Sequence, residues 1–185
     1  MSIMDEVKKE GVVIARKGDW QVWWHYIVPV FWAIAGLLFP REKKNFEERA
    51  IINLGKHIYF NDPDHVNANL PRYRPTFVHE LVHIKDNKRR PLFYKITYVL
   101  SKKWRCYWEF RAYSQEMVFR YKDGEIPPDY IDFLVEVFRD SFYFKMHDNI
   151  RPAFERVADL ASNGKISLFE FPEEFEVIAK EEIFS

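Results

Sequence analysis

The stretch TFVHELVHI at residues 76–84 has apolar side chains at Phe77, Leu81, Val82 and Ile84, which is helical spacing, and Thr76 after Pro75 is the expected N-cap. Residues four apart share one face of a helix, so the imidazoles of His79 and His83 can reach a single metal ion. Glu80 is angled to the neighbouring face, where its carboxylate can take a proton from a metal-activated water. The apolar neighbours Phe77, Val78, Leu81, Val82 and Ile84 suit a helix buried beneath a cleft better than one on a solvated surface.

A catalytic zinc usually takes three protein ligands, so a third donor must come from elsewhere. The metzincin arrangement fails, because Asp86 stands where its glycine is needed and Arg89 where its third histidine would be. The remaining downstream histidine, His147, lies beyond two further expected helices. A glutamate on the next long helix remains, and two are available there, Glu109 and Glu116. Seven residues put them on a similar face about 10 Å apart along the axis, too far for both to bind one ion. The one that does not ligate can orient an imidazole instead.

The segment WEFRAY, with Glu109 and Ala112 in an E-x-x-A pattern 26 residues after His83, resembles the gluzincin metallopeptidases. The chain is also similar to small zinc peptidases with a strand, an HELVH-type helix and an E-x-x-AY helix in this order. That similarity covers roughly residues 50–120. The resemblance implies zinc-dependent hydrolysis of peptide or protein substrates, with His79, His83 and Glu109 holding Zn2+ and Glu80 as catalytic base. It also implies that HIYF (57–60) is an edge strand pairing with an extended substrate. Tyr113 occupies the position where an E-x-x-x-D pattern would supply a carboxylate to support the ligands. An additional donor to the oxyanion is expected, with Tyr113 first and Tyr107, Arg111, His57, His65 and Tyr73 behind it. The alternative is a non-catalytic, metal-stabilised binding or membrane-associated module.

Around this motif, composition sets the frame. At 185 residues, with 48% apolar and 18% aromatic content, the chain can bury a sizeable core. The expected fold is α+β and mainly α-helical: a small zincin-like domain with an active-site helix, a short β element and a second helix carrying the glutamate. Lys plus Arg equal Asp plus Glu at 28 each, so no global charge draws nucleic acid. The basic runs KDNKRR (85–90) and SKKWR (101–105) are read as solvated surface. The lone Cys106 fits a reducing, cytoplasmic setting and is expected to be an inert thiol.

Residues 1–45 form an aromatic and apolar N-terminal segment and 46–185 the metallopeptidase-like domain. The first twenty residues lack a signal-peptide pattern. Residues 20–39, WQVWWHYIVPVFWAIAGLLF, are long enough to cross a bilayer, but Gln21, His25 and Pro29 interrupt them. A buried helical hairpin is the favoured reading, and contact with a membrane the other. A connecting helix is expected from Arg41 to Gly55, a strand at 56–60 and a loop through Pro75. Helices follow at 91–102, 104–121, 127–144 and 152–162. The ending FEFPEEFEVIAKEEIF (169–184) is expected to dock on the domain, since its apolar residues would otherwise be exposed together.

Overall fold

The computed structural model describes residues 2–16, 52–54, 57–124, 126–139 and 149–184, and these divide into two compact units, 1–73 and 74–185. The described residues are mainly helical with one small sheet, the coarse class anticipated from the sequence. The segment 20–39 lies outside the described residues. Among those described, no helix is long and apolar enough to cross a membrane.

The first unit holds helix α1 (Ile3–Lys9) and strands β1 (Val13–Arg16), β2 (Ile52–Leu54) and β3 (His57–Phe60). Ser2 caps α1, accepting from the Asp5 amide while the Asp5 carboxylate accepts from the Ser2 amide, so two orphan N–H groups are satisfied reciprocally. The sheet order is β1-β3-β2, with β1 parallel and β2 antiparallel to β3. Two expectations are corrected here. The end of the supposed connecting helix, Ile52–Leu54, is strand, where β-branched Ile52 and its neighbours pair with Tyr59, Ile58 and His57. HIYF is the central strand and not an edge, since both its sides carry ladder partners, and it buries Ile58, Tyr59 and Phe60.

The stretch 61–75, expected as a loop, is helical almost throughout. Asp62 caps helix α2 (Pro63–Ala68) by accepting from the His65 amide, and Pro63 in the first turn sacrifices no hydrogen bond. After Asn69, helix α3 (Leu70–Arg89) begins two turns earlier than Thr76, with Pro75 inside it. So early in a helix a proline removes a single bond, here toward Pro71, and the packing beyond compensates. Thr76 is therefore not the N-cap. From Phe77 to Ile84 every residue of α3 is buried, as for a helix enclosed on all sides.

The second unit packs helices around α5. Helix α4 (Pro91–Leu100) starts at a proline and ends at Ser101, whose hydroxyl accepts from the Trp104 amide to open α5 (Lys102–Asp123). Gly124, at φ 69°, closes α5 in the left-handed conformation, its amide donating to the Arg120 and Tyr121 carbonyls. Helices α6 (Tyr130–Arg139), α7 (Arg151–Ser162) and α8 (Glu173–Glu182) follow among the described residues. Phe110 stacks on Phe175 at 5.0 Å and meets Phe154 at 5.2 Å, joining α5, α7 and α8. The acidic and aromatic ending docks as α8, with Phe175 and Ile178 buried. The buried Gln115 side chain pins the turn before α8, donating to the Ser167 and Glu170 carbonyls and accepting from the Phe169 amide.

Candidate metal centre

Helix α3 supplies His79, Glu80 and His83, and α5 supplies Glu109; all four side chains are less than a tenth exposed. The Nε2 atoms of His79 and His83 face each other at 3.1 Å. Glu109 closes the group, with Oε2 at 3.4 Å from His79 Nε2 and Oε1 at 3.5 Å from His83 Nε2. Donors bound tetrahedrally at about 2.0–2.1 Å stand about 3.3 Å apart, and these separations, reached through different Glu109 oxygens for the two histidines, lie close to that spacing. Glu109 Oε2 is buried without a hydrogen bond, as a ligand atom left for a cation would be. Among the described residues, His79, His83 and Glu109 are the group able to hold a metal ion.

The surroundings fix these side chains from behind. Tyr94 Oη and His83 Nδ1 are 2.9 Å apart, which keeps Nε2 aimed at the centre. Burial, reinforced by the charges of Glu109, Glu80 and Asp86, pushes the Tyr94 hydroxyl well above its usual range, so it stays a neutral phenol. Tyr98 donates a short hydrogen bond to Glu109 Oε1, the oxygen that faces His83, while Oε2 faces His79 without a hydrogen bond. Glu116 stands behind His79, 3.8 Å from Nδ1, while its other oxygen accepts from Arg120 at 2.9 and 3.0 Å. It thus lies on the side of the ring away from the cluster, beyond hydrogen-bond distance of the buried Nδ1.

The charge balance of the group is compatible with a cation. Burial by itself would lower the His79 pKa, yet Glu109, with Glu80 and Glu116, outweighs it and pushes the value up to about 9. Burial would raise the Glu109 carboxyl, but the imidazoles of His83 and His79 hold it well below the usual carboxylate range. Either protons on the imidazoles or a metal ion can neutralise this set of acids, and the inward-facing Nε2 pair suits the ion.

Of the expected oxyanion donors, Tyr113 packs on a candidate ligand, its ring edge-on to His79 at 4.3 Å and against Phe138 at 5.8 Å. Tyr107 and Arg111 belong to a separate buried network. Arg111 forks onto both oxygens of Asp86 at 3.0 and 3.1 Å, donates to Glu176 at 3.0 Å, and lies over the Phe171 ring at 3.6 Å. Tyr107 donates to Glu176 at 2.8 Å. His57, His65 and Tyr73 belong to the first unit, where Tyr73 packs against Phe60 and His65.

Tyr94 and Tyr98 were missed in the sequence. Their signal was a tyrosine pair at i, i+4 on a proline-initiated helix directly after the motif helix. In a chain with 10 Tyr, that is hard to separate from core packing. Comparison with known proteins finds no matching family model, no matching curated protein and no matching solved structure.

Proposed function

We propose that the protein is a zinc-dependent peptidase in which His79, His83 and Glu109 hold the ion and Glu80 is the catalytic base, on a zincin-like arrangement of α3 and α5. The observation that carries this reading is the facing pair of Nε2 atoms at 3.1 Å, with the buried Glu109 Oε2 lacking a hydrogen-bond donor beside them. Zinc bound there supplies Lewis acidity, acidifying water and polarising a substrate carbonyl. Glu80, next to His79 on α3, accepts the proton of the attacking water and returns it to the leaving amine. Tyr94 holds the far nitrogen of His83, Tyr98 holds Glu109, and Glu116 stands behind His79. Tyr113, packed edge-on against His79, is assigned as donor to the developing oxyanion.

The test compares metal content and proteome-wide peptide cleavage for the wild type and Glu80→Gln. The variant should retain zinc and cleave nothing. Identical fragments from both proteins would refute the assignment. The enclosure of all four side chains favours a second reading, a metal-stabilised module without catalysis, because structural sites are closed and catalytic ones keep an accessible position. That reading predicts bound zinc with no cleavage by the wild type.

A further inference from the structure

Between Asp86 and Glu109 the chain runs 22 residues, 87–108, without an acid and with seven Lys or Arg, in a protein whose net charge is zero. The structure folds this run around α4. Arg105 turns inward to the Tyr98 carbonyl at 3.2 Å, while Lys88, Arg89, Arg90, Lys95, Lys102 and Lys103 are exposed at the two ends and one flank of α4. Along the helix, Leu92, Ile96 and Leu100 recur every fourth residue and are 72%, 48% and 79% exposed. Phe93 stands beside them, half-exposed.

The stripe cannot be hidden by rotating the helix. The opposite face is fixed by Tyr94 on His83, Tyr98 on Glu109, and the Thr97 hydroxyl accepting from the Trp108 indole at 3.1 Å. Helix α4 therefore holds a rigid apolar ridge outward, with cations at both ends and along one flank. Nucleic acid would use the cations but leave the leucines in contact with phosphates and water. A bilayer with anionic headgroups satisfies both, taking the side chains among its acyl chains and the cations at its surface.

We propose that the outer face of α4 is a docking surface for anionic membranes. It is independent of residues 20–39 and of the metal chemistry. The test is co-sedimentation of the full chain with phosphatidylcholine vesicles, with and without phosphatidylserine, at two salt concentrations. Binding should require phosphatidylserine and weaken with salt. Leu92→Ser/Ile96→Ser/Leu100→Ser should lower the affinity by about tenfold or more, since bound strength follows apolar area inserted. Lys88→Gln/Arg89→Gln/Lys95→Gln, which alters exposed residues only, should lower it roughly a hundredfold at about fivefold per charge. Circular dichroism verifies that both variants stay folded. The proposal is overturned if the wild type ignores the vesicles, or if both variants bind like the wild type. It is equally overturned if the protein binds duplex DNA in preference to vesicles.

Discussion

Removing the Asp86 carboxylate should destabilise the protein by about 3 kcal/mol, because it strands a buried guanidinium. Asp86 and Arg111 are both almost wholly buried and meet through two parallel N–H to O contacts. Breaking one side of such a pair costs about 3–5 kcal/mol, far more than the pair itself contributes relative to apolar packing. The lower end applies here, since Arg111 keeps Glu176 at 3.0 Å and the Phe171 ring, although the half-exposed Glu176 is screened by water and compensates little. Asp86→Ala should therefore lower the melting temperature by roughly 6–12 °C. Arg111→Met strands Asp86 instead and should cost a similar amount. The double variant, with no buried charge left over, should cost about 2 kcal/mol less than the sum of the singles in a urea-denaturation cycle. A loss of less than about 1 kcal/mol for Asp86→Ala, with additive singles, would show that the pair is solvated and the argument wrong. Because Asp86 lies three residues after His83 and Arg111 two after Glu109, this pair also sets the register of α3 against α5 at the candidate centre.

Three further outcomes follow from the same surroundings. Tyr98→Phe deprives Glu109 Oε1 of its donor and should weaken zinc binding about 10–100-fold, measured by competition with a chromogenic chelator; unchanged affinity would remove Tyr98 from the site. With the His79 pKa raised to about 9, the metal-free protein carries that proton at neutral pH, whereas a ligating imidazole must be neutral. Zinc loading should thus release protons at neutral pH and release fewer as the pH climbs past 9, seen by calorimetry in buffers of different ionisation enthalpy; a pH-independent count contradicts it. Cys106, fully buried and pushed up to about 12 by burial and then by the Glu109 charge, should resist thiol reagents until the protein unfolds; labelling of the native protein at the denatured rate would contradict its placement.

The readable parts of the sequence were those where side-chain spacing carries the information. The i, i+4 histidines of HELVH needed only helical periodicity to be put on one face, and α3 brings their nitrogens together. Glu109 over Glu116 came from the E-x-x-A resemblance, and Glu109 lies against both imidazoles while Glu116 stands behind one of them. What stayed illegible depended on tertiary context or on turn formers used as helix starters. Asp62-Pro63 and Pro75 look like loop punctuation, yet one opens α2 and the other is absorbed by α3. Ile52–Leu54 belongs to a charged, helix-like run, and pairing with HIYF overrides that local preference. Tyr94 and Tyr98 look like ordinary aromatic filling until α4 folds over the histidines.

Helix α5 presents three committed residues within seven positions: Glu109 toward the histidines, Arg111 toward Asp86, and Gln115 toward the turn at 167–170. Each additional residue in a helix turns everything after it by about 100°. A single insertion between Glu109 and Gln115 would swing a partner off its target however benign the inserted side chain. Evolutionary or engineered length changes should therefore collect in the connection after Gly124 and spare the 22-residue rod before it.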